Sequence, residues 1–241
     1  MKKTIRTWLN FLLIAGVVMI FATSCKKDTV TNDLTVKDID GNVYTTVTIG
    51  TQVWMVENLK TTKYRNGDPI PNVSDNTQWS NLTTGAHCNY NNEAAIGNKY
   101  GRLYNWHAVN DSRNIAPTGW HVPTDAEWTT LENYVSANLG TSGSIAKALA
   151  SKTDWASSTN GGTVGNDLTK NNTTGFTALP GGYRGLDGTC GSIGGSGYWW
   201  SSTEYNTLNA WDRGLYCDSY DMSSYDYRKS CGFTVRCVRD L

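Results

Sequence analysis

Cysteines, histidines and one tyrosine-rich stretch carry most of the chemical potential of this chain of 241 residues. Cys25 precedes five others, Cys88, Cys190, Cys217, Cys231 and Cys237. No pair has Cys-x-x-Cys spacing, and His87, His107 and His121 do not complete a tetrahedral Cys/His set, so no metal site is expected from them. None of these histidines stands beside a nucleophile pattern; His121, between Trp120 and Val122, reads as a packed core residue. Asp125 and Glu127 are accounted for by helix capping and the helix dipole rather than by acid–base work. Gly191 to Gly197 is glycine-rich, but no Lys-Ser/Thr follows, so a phosphate loop is not supported. No catalytic residue is expected.

Ser201 to Cys231 is different in kind. Its 31 residues include six Ser, five Tyr, four Asp and two Asn. Rigid amphipathic rings mixed with short adaptable polar groups are what paratopes use. The candidate ligand-binding residues are Tyr205, Asn206, Asn209, Trp211, Asp212, Tyr216, Asp218, Tyr220, Asp221, Tyr225 and Tyr227. Alternation across Tyr216-Cys217-Asp218-Ser219-Tyr220 suggests a half-exposed strand.

Elements must position that stretch. Val43 to Ile49 is β-branched, Gly50-Thr51 breaks it, and Gln52 to Val56 resumes it, which predicts a hairpin. Tyr100 to Val109 is aromatic-rich and expected to be buried. Thr124-Asp125-Ala126-Glu127 is a capping box. Trp128, Leu131, Tyr134, Val135 and Leu139 follow on one helical stripe, with Gly140 as the C-cap. A second short helix is expected over Ser144 to Ser151. Trp155 to Gly197 is mostly Gly, Asn, Thr and Ser, a long loop region with Phe176 to Pro180 as its apolar anchor, and short aromatic strands follow. No second domain boundary is visible after residue 35.

Composition narrows the function classes. The 21 Lys and Arg balance 21 Asp and Glu, and a neutral chain lacks the basic face of a nucleic-acid binder. Asn, Thr, Ser and Gly make up 96 residues, a loop-forming mixture, but ten Trp and thirteen Tyr argue against disorder. Lys2, Lys3 and Arg6 precede the apolar run Phe11 to Ala22, which is shorter than the ~20 residues of a membrane span and suits a secretory leader. The run ends in Ala22-Thr23-Ser24-Cys25, similar to a bacterial lipobox although Ala22 stands where Leu is usual. Residues 1–24 are therefore expected to be removed and Cys25 lipidated, with residues 25–35 as a flexible tether and residues 36–241 as one domain. The mature chain would carry a net charge of −3, since Lys2, Lys3 and Arg6 leave with the leader.

Four phrases together carry a resemblance. They are Gly101 to Trp106 (GRLYNW), Ala116 to Trp128 (APTGWHVPTDAEW), Gly175 to Arg184 (GFTALPGGYR), and Tyr198 to Glu204 (YWWSSTE) with Gly232 to Asp240 (GFTVRCVRD). In this order they resemble the Fibrobacter succinogenes major paralogous domain family over roughly residues 36–241. That family looks related to the C-type-lectin-like superfamily and to formylglycine-generating sulfatase-modifying enzymes. The resemblance implies an α+β domain with a C-type-lectin-like fold: mixed or antiparallel strands, the N- and C-terminal ones paired, two helices, and long loops leading to a ligand-facing surface. It also implies a lipoprotein of the bacterial cell envelope, in the Bacteroidetes or relatives, at the outer membrane or cell surface.

What such a protein would do follows from the same resemblance. The expected role is binding of an extracellular glycan or protein through the tyrosine-rich segment, whose composition is also similar to the variable regions of diversity-generating retroelement targets. A structural envelope component without a specific ligand is the alternative. No cofactor is expected; calcium on Asn166-Asp167 is the lesser reading, because Asp and Asn in a glycine-rich loop usually form turns. A copper-dependent cysteine oxidase ranks below binding, because Cys231 and Cys237 are one residue further apart than the pattern of those enzymes. Structural disulfides fit better, with Cys88–Cys237 preferred, Cys217–Cys231 next, and Cys190 free.

Overall fold

The hairpin predicted from β-branched alternation is present. In a computed structural model that describes residues 35–139 and 143–240, β1 (Thr35–Lys37), β2 (Val43–Ile49) and β3 (Gln52–Met55) run antiparallel. The leader, Cys25, the tether as far as residue 34, and Gly140 lie outside the described residues. Tyr44 and Ile49 point inward from β2, while Val43 and Thr45 stay exposed. Gly50 turns the chain at φ +63°, and a Cβ there would meet the Tyr134 ring at 2.8 Å. No other residue satisfies both demands at that turn.

The remaining strands and helices follow in chain order. They are α1 (Asn76–Ser80), β4 (His87–Cys88), α2 (Ala94–Tyr100), β5 (Leu103–Tyr104), α3 (Trp106–Val109), β6 (Trp120–His121), α4 (Asp125–Ala137), α5 (Ile145–Leu149), β7 (Tyr183–Arg184), β8 (Cys190–Gly191), β9 (Ser196–Glu204), β10 (Asn209–Tyr216), β11 (Ser223–Arg228) and β12 (Val238–Arg239). A five-stranded sheet has the order β1-β2-β3-β12-β6, so the C-terminal strand pairs with the N-terminal hairpin, Val238 opposite Trp54. A second sheet is the meander β9-β10-β11; β4-β5 and β7-β8 are small separate pairs. The chain is thus α+β, with antiparallel sheets and short helices. Among the described residues no helix is long and apolar enough to cross a membrane.

Helix α4 begins where its sequence demands. Thr124 accepts from the Glu127 amide and Glu127 reaches back to the Thr124 N–H, completing the capping box. Trp128, Leu131 and Val135 are buried, but Tyr134 is exposed and packs over Gly50 instead of entering the core. Trp54, Trp128 and Phe176 meet at centroid distances of 4.8 to 6.0 Å and join the first sheet, α4 and the long loop.

Two arginines and one asparagine tie these layers. Asn58 Oδ1 accepts from Trp199 Nε1 at 2.8 Å and from Arg236 Nε and Nη2 at 3.1 and 2.8 Å. Arg236 is fully buried, donates also to the carbonyls of Phe176 and Thr177, and lies 4.3 Å from the Phe176 ring centroid. Thr177 holds the left-handed φ of 58°, unusual for a β-branched residue, because Asn172 Oδ1 takes its N–H and Arg236 takes its carbonyl. Arg184 donates to Val73 O, Ser74 O, Asn76 Oδ1 and Gly188 O and lies over the Trp79 ring. These arginines bind carbonyl and amide oxygens, not carboxylates, so their planar forks act as fixed multi-way connectors.

The structure corrects three expectations. All five described cysteines are free thiols, so neither Cys88–Cys237 nor Cys217–Cys231 forms. Cys88 packs with Trp79 and Leu103, whereas Cys237 belongs to the cluster around Tyr44 and Tyr104; Cys231 joins that second cluster while Cys217 borders the one around Trp199 and Leu215. His121 is not a core residue: it is half-buried, with Nδ1 2.6 Å from Asp240 and Nε2 2.8 Å from Glu127, and those carboxylates raise its pKa. The chain does not extend as a strand across residues 216–220; β10 stops at Tyr216 and a turn begins at Cys217.

Candidate functional site

The tyrosine-rich segment folds as most of the meander. Strand β10 pairs with β9 on one side and β11 on the other, and the register sorts side chains onto two faces. Asp212 lies between Trp200 and Tyr225, Ala210 lies opposite Tyr227, and Tyr216 opposite Ser196, all on one face. Trp211 and Arg213 lie on the other, with Arg213 paired to Asp125 at 2.6 Å and Glu132 at 2.5 Å on α4. Asp125 therefore also anchors the meander to the helix, beyond its role in the first helical turn.

The eleven candidate residues do not form one surface. Tyr205 and Asn206 sit in the β9–β10 turn, where Tyr205 packs edge-on against Trp211 at 4.9 Å. Asp218, Tyr220 and Asp221 sit in the β10–β11 turn at the far end, and the Tyr220 carbonyl accepts from Ser144 and Ala146 at the start of α5. Eight strand residues at ~3.3 Å each separate the turns by roughly 25 Å, too far for one small ligand. Asn209 donates to Asp226 at 2.6 Å across the strands.

Asp212 is the largest departure from the sequence reading. It is fully buried, and both carboxylate oxygens lack a hydrogen-bond partner. Burial among Trp200 and its neighbours pushes its pKa well above the ordinary carboxylate value, against the nearby Arg213 charge, which favours the protonated acid. It cannot belong to a solvent-facing binding surface.

What the meander brings together is an aromatic cluster. Tyr198 stands at its centre, edge-on to Tyr183 (5.5 Å), Tyr216 (5.8 Å) and Tyr227 (6.0 Å), and stacked on Phe233 at 4.9 Å. A cleft of about 320 Å³ opens beside it, lined among others by Tyr183, Leu186, Tyr198, Tyr227, Arg228 and Phe233. Tyr183, Leu186, Tyr198 and Phe233 were not among the sequence candidates. Only the phrases GGYR, YWW and GFTV pointed to Tyr183, Tyr198 and Phe233, and there they read as family signature rather than as site; nothing in the sequence pointed to Leu186. Cys231 also lines the cleft; burial raises its thiol to about 12, so it stays protonated as an apolar wall.

The long loop bears on the calcium reading. Lys147 on α5 is buried, and its ammonium donates to the main-chain carbonyls of Thr163 (3.0 Å), Asn166 and Asp167 (3.2 Å). The Asn166-Asp167 carbonyls proposed for calcium are thus already engaged by a cation of the chain itself. Lys147→Met should destabilise the protein by roughly 2 kcal/mol, because one buried and two part-buried carbonyl contacts lose a charged donor. It should also speed proteolytic cleavage within residues 153–172. Added calcium should leave the wild-type melting temperature unchanged; a rise with millimolar calcium would restore the metal reading.

Fold and site together define an α+β protein whose motif residues build its interior and whose meander borders an aromatic cleft. A family model described as the Fibrobacter succinogenes major domain matches residues 47–239, and the chain belongs to this family. Searches of curated proteins and of solved structures returned no match. The phrases that carried the resemblance lie mainly in the buried network: Asn105, Trp106, Trp199, Trp200 and Arg236 are all buried and hydrogen-bonded through their side chains.

Proposed function

We propose that the protein is a lipoprotein of the bacterial cell envelope, held through Cys25 at the outer membrane or cell surface, that binds an extracellular glycan or protein with its C-terminal meander. The observation that carries this reading is where apolar side chains meet solvent. Of eight large exposed hydrophobic residues among those described, Tyr205, Leu208, Tyr220 and Tyr225 belong to the meander segment, and Leu186 flanks the cleft beside it. Tyr205 and Leu208 lie at one end of the meander and Tyr220 at the other, so together they suit an extended ligand rather than one small molecule. A C-type-lectin-like arrangement is the finer fold we propose, supported by the pairing of β12 with β3 and by α4 and α5 preceding the long loops. The oxidase alternative gains no support from the thiols, since Cys237 is fully buried and burial raises its pKa.

The test is a glycan array and a screen of extracellular proteins with the full-length chain in detergent micelles. Saturable binding to one ligand class is expected, weakened about tenfold or more by at least one of Tyr205→Ala, Tyr220→Ala and Tyr225→Ala. No binding, or binding that all three variants retain, would overturn this reading and favour a structural envelope role.

A further inference from the structure

The meander ends in an open edge. Lys229 donates its N–H to the Leu208 carbonyl at 3.0 Å, which continues the β10–β11 register one pair beyond Asn209 and Arg228. Alternation then turns the main-chain groups of Ser223, Tyr225 and Tyr227 toward β10, and those of Ser224, Asp226 and Arg228 outward. Of these outward groups only the Arg228 carbonyl has a partner among the described residues, the Cys231 N–H at 2.8 Å. The other sheet edges are short or covered. Strands β1, β4, β5, β6, β7 and β8 have two or three residues each. The outer side of β9 is bonded by Thr234, Gly182 and Pro123. Strand β11 has six residues in unbroken register, and no Pro, Lys or bulge blunts it.

Unpaired N–H and C=O groups at strand spacing are matched by another extended polypeptide, which supplies the same groups at the same repeat. The two faces of the edge say what its side chains should be. Tyr225 and Tyr227 lie on the face of the cleft, which Tyr198, Phe233 and the exposed Leu186 also line. The Tyr198 and Tyr227 hydroxyls already share hydrogen bonds with Tyr216, so those rings present apolar surface to an occupant. The cleft volume of about 320 Å³ lies at the small end of ligand sites, which run from about 300 to 1,000 Å³, and suits a side chain. Asp226 and Arg228 lie on the opposite face. A strand that alternates apolar and polar residues therefore fits both faces. A second copy fits less well: pairing two copies along the whole edge would centre on Asp226 and set like carboxylates directly opposite each other.

We infer that β11 binds an extended segment of a partner polypeptide by strand addition, with main-chain bonds to Ser224, Asp226 and Arg228 and an apolar side chain of the segment in the cleft. This rests on the reading of the meander as the binding face and narrows its ligand from glycan or protein to polypeptide. Main-chain pairing supplies the affinity, and the cleft selects which side chain may sit at that register.

A random linear peptide library displayed on phage, selected against the full-length chain in detergent micelles, tests it. Enriched peptides should alternate apolar and polar residues. Ser224→Pro should weaken them about tenfold or more, because proline removes an outward N–H and crowds the edge. That N–H takes no part in the pairing with β10, so the melting temperature of Ser224→Pro should equal that of wild type. N-methylation of successive peptide amides gives a second reading on the unaltered protein: affinity should fall at every other position. No enriched peptide, wild-type binding by Ser224→Pro, or N-methyl losses without a period of two would overturn the inference. A dimer of the chain that Ser224→Pro dissolves would overturn it in favour of self-pairing. A glycan as the only ligand class captured, still bound by Ser224→Pro, would overturn it and leave the broader binding function standing.

Discussion

Arg236→Ala should lower the unfolding free energy by roughly 3 to 5 kcal/mol, the largest single effect expected in this chain. The guanidinium is fully buried and serves three acceptors at once: Asn58 Oδ1 and the carbonyls of Phe176 and Thr177. Truncation leaves both carbonyls without this donor inside the protein and opens a cavity between Phe176 and Trp199. It also frees Thr177 to leave its left-handed backbone conformation, which loosens the Gly175 to Pro180 anchor of the long loop. Part of the loss is offset, because the desolvation penalty of the charge disappears with it. Arg236→Lys should recover little, since a single ammonium cannot span Asn58 and two carbonyls. Urea unfolding followed by tryptophan fluorescence measures the effect; a loss below about 1 kcal/mol would contradict this role for Arg236.

The second large effect has the opposite sign. Asp212→Asn should stabilise the protein by about 2 kcal/mol or more near neutral pH and by almost nothing near pH 4. In the folded chain burial raises the pKa of this acid well above the ordinary value and favours its protonated form. In the unfolded chain it ionises at about 3.9. A group whose folded pKa is raised contributes stability below its unfolded pKa and loses it as pH rises toward the folded one. Each pH unit in that window costs about 1.4 kcal/mol. Asparagine has the same shape and does not titrate, so the difference between variant and wild type should grow with pH. Parallel stability curves for the two proteins from pH 4 to 8 would show that Asp212 is ionised or partnered when folded.

Much of the scaffold was readable because local signals agreed with tertiary demands. The hairpin Val43 to Met55 combines β-branched alternation with a glycine that only its turn tolerates. Helix α4 declares itself through a capping box that both partners complete. Helices α1 and α2 gave no such notice: they have five and seven residues, each buries a single side chain or glycine, and too few turns exist for a period to appear.

The site was harder to read, and particular residues explain why. Composition marked Ser201 to Cys231 correctly as unusual but could not separate the two faces of β10, so Asp212 was grouped with Tyr225 and Tyr227 although it is fully buried. Alternation places Asp212 and Tyr216 on one face; only the cross-strand Trp200 and the cluster it joins with Phe233 and Cys231 make that face interior at Asp212. Nothing in the short helix over Ser144 to Ser151 marks Lys147, yet the loop folds over it and supplies three carbonyls. Cysteine spacing carries no information on which cluster each thiol enters, so the expected disulfides had no geometric basis. Asn58, which joins Trp199 to Arg236, sits in the plain phrase Glu57-Asn58-Leu59 and offered no signal at all.

Recognition at the meander and not elsewhere can be read directly by hydrogen exchange on the full-length chain, with and without the glycan or protein captured in the screens. Slower exchange should appear in Ser223–Arg228 and in residues 183–186, which border the aromatic cleft, with the hairpin Val43 to Met55 unchanged. Protection confined to that hairpin, to α4 or to residues 155–175 would contradict it.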